Sequence, residues 1–158
     1  MKSYHLTYKQ CLPISLAEAW DFFSSPFNLV EITPDDMAFK VTSAFDKNDK
    51  MYPGMIITYK VSPLFGINLN WMTEITQVLE QKYFIDEQRF GPFKFWHHQH
   101  HFKAIEGGVE MTDILTYGLP LGVLGNIAHA VMVGNKIKAI FTFREKKTNE
   151  MFGVYKKR

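Results

Sequence analysis

Cysteine is nearly absent from this chain. Cys11 stands alone among 158 residues, so no intrachain disulfide can form and a reducing compartment is expected. Long apolar runs are missing as well. No segment approaches the roughly 18 consecutive apolar residues of a membrane span, and the opening MKSYHLTYKQCLPIS lacks the apolar core of a signal peptide. The expected location is therefore cytoplasmic. Charge of one sign is scarce too: 18 basic and 16 acidic residues are interspersed and leave a net +2. The only basic cluster is Lys156, Lys157 and Arg158, which argues against nucleic acid as a partner. No G-x-S-x-G elbow, P-loop or dinucleotide fingerprint occurs, and Cys11, without a local partner, reads as buried and inert. Repeats, low-complexity tracts and linkers are lacking, so residues 1–158 read as one domain.

What the chain has in quantity is aromatic side chains. With 14 Phe, 7 Tyr and 3 Trp, rings make up 15% of the residues, more than a small core needs. Some then line a ligand cavity, or they reflect the frequency of Phe and Tyr in strands. The 8 methionines suit an adaptable apolar pocket or ordinary core filling.

Periodicity orders the elements. Tyr4, Leu6 and Tyr8 alternate as on a strand within Tyr4–Leu12. SLAE at Ser15–Glu18 matches a capping box, opening a short helix with Leu16, Ala19, Trp20 and Phe23 on its apolar face. SSPF starts a second short helix, Ser25 as N-cap and Pro26 first inside, which ends at Thr33–Pro34. Strands are expected over 38–44, 55–61, 67–79, 82–90, 93–105 and 109–119, separated by DKNDKMYPG, SPLFG, GP and EGG. Such short breaks imply antiparallel neighbours, and strands this long imply a curled sheet. Beyond Pro120, Val123, Ala130, Val133, Ile137, Ile140 and Phe141 fall on one helical stripe, predicting a helix of roughly 25 residues.

This order and its motifs resemble the START-like or SRPBCC superfamily with the helix-grip fold, and within it the small bacterial ligand-binding proteins of the polyketide cyclase/dehydrase-like subset. The residues carrying the resemblance are SPFNLVEITP (Ser25–Pro34), PGMIITYKV (Pro53–Val61), the tryptophan of NWMTEI, FIDEQRFGPFKFWHHQHHF (Phe84–Phe102), MTDILTYGLPLG (Met111–Gly122) and IFTFR (Ile140–Arg144). It implies an α+β fold: a curved antiparallel β-sheet of six or seven strands wrapped around a long C-terminal helix, with two short helices after the first strand. It further implies a hydrophobic cavity between sheet and helix, entered near the short helices and the Ser62–Gly66 loop. No cofactor is implied.

FWHHQHHF, at Phe95–Phe102, carries the candidate chemistry. On a strand, Trp96, His98, His100 and Phe102 share one face, while His97 and His101 point the other way to solvent. An H-x-H pair with Asp113 as a third ligand would make a zinc site. Against that reading, no cysteine or second carboxylate stands nearby in sequence, and metal binding is not typical of the resembling family. Alternatively His98, His100 and Asp113 form the polar wall of an aromatic cavity, where an Asp–His pair also makes acid–base chemistry conceivable. A third option is a structural polar network, in which Arg144 pairs with Asp86 or Asp113. Asp86 and Gln88 share a strand face and are network members or ligand contacts. The candidate ligand-binding residues are Trp96, His98, His100, Phe102, Asp113, Tyr117, Tyr59 and Trp71. Three functions stay open: binding of a small, largely apolar lipid, polyketide-like or aromatic molecule; a cyclase/dehydratase-type enzyme; or a protein-interaction module. Homodimerisation is open as well.

Overall fold

The computed structural model describes residues 2–157, except 47, 63–65, 121–123, 125–126 and 128–131. The elements are β1 (Ser3–Leu12), α1 (Leu16–Phe23), β2 (Lys40–Val41), β3 (Met55–Val61), β4 (Leu69–Leu79), β5 (Tyr83–Phe90), β6 (Phe95–Ile105), β7 (Gly108–Gly118) and α2 (Gly134–Phe152). One seven-stranded sheet has the order β1-β7-β6-β5-β4-β3-β2 with antiparallel neighbours throughout. This is the helix-grip arrangement, a curved antiparallel sheet with a long C-terminal helix.

Local chemistry explains most boundaries. The capping box forms as the sequence predicts: the Glu18 N–H donates to Ser15 Oγ at 3.2 Å, and the Ser15 N–H donates to Glu18 Oε2 at 2.9 Å. After α1, residues 26–32 run as turns closed by i→i+3 bonds, such as Glu31 N–H to Asn28 O at 3.1 Å, and a 3-10 turn follows at Asp35–Met37. The second short helical stretch is thus wound tighter than an α-helix. β2 keeps only two residues of the expected 38–44. Ala38 before it is left-handed (φ 44°), and after it the Ser43 hydroxyl replaces a backbone carbonyl as acceptor for the Thr58 N–H at 2.6 Å.

The β4–β5 register shifts twice, between Met72 and Thr73 and between Ile75 and Gln77. Extra residues on one strand bend it and increase its twist, which curls the sheet. α2 lies on the concave side, with Ile137, Phe141 and Thr148 buried. Its Phe141 ring stacks on Tyr8 of β1 with centroids 4.1 Å apart. The Thr148 hydroxyl contacts Gln10 Oε1 at 3.0 Å, and Gln10 Nε2 donates to Asn149 Oδ1 at 3.1 Å. Each buried apolar side chain here contributes about 1.5–3 kcal/mol. The expected helix start at Val123 and Ala130 lies outside the described residues, as does most of the Ser62–Gly66 loop. Among the described residues no helix is long and apolar enough to cross a membrane.

Candidate functional site

Curling leaves space between the concave face and α2: a cavity of about 190 Å³, walled mainly by apolar and aromatic side chains. Tyr59, Trp71, Trp96, His98, His100 and Asp113 line it, as do Asp86 and Arg144. Phe102 and Tyr117 belong instead to the packed interior. Phe102 meets Trp20 at 5.5 Å and Phe84 at 6.1 Å. Tyr117, fully buried, sits with Leu115, Ile137 and Phe141. Cys11 is half-buried on β1 rather than fully buried.

Register builds the polar end of this cavity. β6 runs between β5 and β7, with His98 opposite Asp86 on one side and His100 opposite Asp113 on the other. The two histidines are neighbours on one pleat face, so each acid also reaches the other histidine diagonally. The outcome is a ring of alternating acids and imidazoles, closed by hydrogen bonds on three of its four sides. His100 Nδ1–H donates to Asp113 Oδ1 at 2.8 Å and His98 Nε2–H to the same oxygen at 3.1 Å. His100 Nε2–H donates to Asp86 Oδ2 at 2.9 Å, while His98 Nδ1 lies 3.6 Å from that oxygen, beyond a normal hydrogen bond. The imidazole rings sit 3.9 Å apart, and Phe84 stacks on His100 at 4.2 Å.

Burial sets the electrostatics. It would raise the Asp113 carboxyl, but hydrogen bonds from His100 and His98 outweigh it and hold the group far below the usual carboxylate range. The same contest lowers Asp86, where His100 supplies the main hydrogen bond. The two histidines diverge. Burial, then the charge on His100, pushes His98 down. For His100, burial is outweighed by bonds to Asp113 and Asp86, and its value rises. The geometry at His100, with a carboxylate oxygen 2.8–2.9 Å from each ring nitrogen, is that of an imidazolium, while burial favours the neutral form of His98.

Arg144 does not pair with Asp86 or Asp113, contrary to the expectation. Among the described residues it has no ion pair; its guanidinium carbon lies 5.5 Å from the Phe141 ring centroid, and its buried Nε lacks a hydrogen-bond partner. Trp71 Nε1, also buried and facing the cavity residues, lacks one as well. Tyr59 shares its hydroxyl with Thr73 Oγ1 at 2.8 Å, and burial pushes its phenol up. On the opposite face His97 pairs with Glu87 at 2.7 Å, and His101 with Gln99 at 2.9 Å.

Asp86 is the member that sequence reasoning placed only loosely. That it shares a strand face with Gln88 was legible, but its pairing opposite His98 depends on the β5–β6 register. Gln88, on the same face, turns away to clamp the hairpin: its Nε2 donates to Phe93 O at 2.6 Å. Phe22, Phe23, Leu29, Ile32 and Met37 on α1 and the turns close the cavity from the side. Nothing in their local pattern distinguishes a cavity wall from core.

The class that this architecture defines is the α+β helix-grip fold, and comparison with solved structures finds the same fold over nearly the whole chain. Protein Ms6760 from Mycobacterium smegmatis is 16% identical, covering 93% of this chain and 92% of its own, with a TM-score of 0.65. The ginseng major latex-like protein 151 from Panax ginseng is 12% identical over 95% of this chain and 97% of its own, at a TM-score of 0.67. Ara h 8.0201 is 11% identical over 94% and 99%, at 0.60. At these identities the likeness is one of fold alone. No family model matches the chain, and no curated protein matches it.

Proposed function

We propose that this chain binds a small, largely apolar organic molecule, lipid-like, polyketide-like or aromatic, in the cavity between the curved sheet and α2. The observation carrying this reading is a space of about 190 Å³ walled mainly by apolar and aromatic side chains, with Asp86, His98, His100, Asp113 and Arg144 in its lining. A ligand's apolar body would stack against Trp71, Trp96 and Tyr59. Its polar end would meet Arg144 Nε and the Trp71 N–H, buried donors without a partner among the described residues, which favour a hydrogen-bond acceptor such as a carbonyl, phenolate or carboxylate.

The experiment is native mass spectrometry of freshly purified protein, followed by titration with an environment-sensitive apolar dye. Wild type should retain an organic mass or bind the dye with a change in tryptophan fluorescence. Ile140→Trp, which fills the cavity, should lose both while keeping its circular dichroism. A wild-type protein that binds neither, or a filled variant that binds equally well, would overturn the reading.

A second reading is chemistry of the cyclase/dehydratase kind, favoured by the hydrogen bonds that hold both imidazoles to Asp113 at the cavity wall. In that reading His98 or His100 is the general acid or base and Asp113 orients it. It requires a bound ligand to change mass or spectrum with time in wild type and to persist unchanged in His98→Gln.

A further inference from the structure

We propose that Asp86, His98 and His100 form a site for a divalent transition-metal ion of the zinc class, open to the cavity and oriented by Asp113. Two imidazoles and one carboxylate are a donor set that holds such ions and leaves a position free for water or ligand. One ligating atom from each of the three residues lies within 4.8 Å of the others. Asp86 Oδ2 is 2.9 Å from His100 Nε2 and 3.6 Å from His98 Nδ1. Donors on a tetrahedron with bonds of about 2.1 Å stand roughly 3.4 Å apart, so the observed separations bracket what an ion needs.

The second half of the argument concerns the nitrogens that do not face Asp86. A ligating histidine keeps its ring aligned by donating its other N–H to a carboxylate or carbonyl. Here His98 Nε2 and His100 Nδ1 both donate to one oxygen, Asp113 Oδ1, at 3.1 and 2.8 Å. That fixes His98 Nδ1 and His100 Nε2 as the nitrogens turned to Asp86. All three ligands stand on paired strands of the sheet, and the site borders the cavity lining. The third ligand is therefore Asp86, not Asp113 as the H-x-H spacing suggested. Asp86 comes from the neighbouring strand, which is why no second carboxylate stood nearby in sequence.

Geometry also sets two acceptors against one another. With Asp113 Oδ1 accepting from His98 Nε2, the His98 Nδ1 atom lies 3.6 Å from Asp86 Oδ2, beyond a normal hydrogen bond. A cation there converts two facing lone pairs into two ligands. Binding replaces the proton on His100 Nε2, which leaves for solvent, and two carboxylates, two neutral imidazoles and a dication sum to zero charge. The site stands whether or not the cavity holds an organic molecule.

The test uses tag-free, chelator-stripped full-length protein, titrated with Zn2+ by calorimetry and with Co2+ by visible absorption. One equivalent should bind, with Co2+ giving the d–d bands of a low-coordinate site. Asp86→Asn, His98→Ala and His100→Ala should each weaken uptake by about 100-fold or more. Asp113→Asn keeps all three ligands and should weaken it by about 10–100-fold, while His101→Ala should change nothing. Imidazole nitrogen NMR of wild type removes any dependence on variants that fold poorly: Zn2+ should move His98 Nδ1 and His100 Nε2 and leave His97 and His101 in place. Folded wild type that takes up no metal at micromolar concentration overturns the proposal, and so does uptake that shifts only His97 and His101. Dye binding without metal binding would overturn this site and leave the proposed function intact; the converse would do the reverse.

Discussion

Replacing Asp113 with Asn tests how far the fold depends on the ring that fills the polar end of the cavity. The carboxylate accepts hydrogen bonds from His100 at 2.8 Å and His98 at 3.1 Å, and its side chain is only 14% exposed. Asn keeps the shape and one acceptor oxygen. It loses the charge that balances the buried imidazolium, and it presents an NH2 group where a donor has no use. A hydrogen bond to a charged group contributes about 1.5–3 kcal/mol, and breaking a buried pair by removing one partner costs up to about 3–5 kcal/mol. A loss of about 2–4 kcal/mol follows for the metal-free protein. With a urea m-value of about 2 kcal/mol/M, the unfolding midpoint should fall by about 1–2 M near neutrality.

The pH dependence has a definite sign. The folded Asp113 carboxyl is depressed below its ordinary 3.8, so its contribution is fully present above that value and is lost as pH falls below it. The stability gap between wild type and Asp113→Asn should therefore narrow at about pH 3. Through the neutral range the two histidines shift in opposite directions, and their contributions oppose one another. Urea denaturation followed by circular dichroism at both pH values is the assay. Equal midpoints near neutrality, or a gap that stays constant in acid, would refute the argument.

Two smaller changes probe the frame around the site. Ser15→Ala removes the acceptor for the Glu18 N–H and should cost about 1 kcal/mol, lowering the melting temperature by about 2–4 °C; an unchanged melting curve would mean that the box contributes nothing. Gly108→Ala places a methyl group against the Leu12 carbonyl oxygen of β1, a backbone atom that cannot rotate away. Calorimetry should show a loss of about 1–3 kcal/mol, and a variant as stable as wild type would show that β1 can shift at that edge.

The strands were legible wherever side chains alternate strictly between core and solvent. Met55–Val61 is the clearest case, since Met55, Ile57 and Val61 are buried while Ile56 and Lys60 are exposed. The capping box was legible because every atom it needs lies within four residues. The turns at 26–32 were not: Ser25 and Pro26 are good helix starters, but tighter i→i+3 bonds replace the α-helical ladder there. Period two separated His98 and His100 from His97 and His101, and the resemblance chose the first pair as the inward one; the division holds because the β6 register runs without a bulge. Arg144 was placed on the correct face of α2 and given the wrong partner, since a helical stripe says which way a side chain points but not what awaits it.

By itself, then, the sequence determined the succession of elements, the antiparallel neighbours and the division of Phe95–Phe102 into two alternating sets, all of which depend on residues near one another in the chain. Only the tertiary structure decided that Asp86 joins the two histidines and Asp113, that Arg144 Nε has no hydrogen-bond partner among the described residues and that Phe102 and Tyr117 belong to packed core. Those outcomes depend on the register between strands and on how far two bulges in β4–β5 curl the sheet away from α2. Bulges and register reflect the packing of whole faces against one another, and no local pattern in the chain encodes that sum.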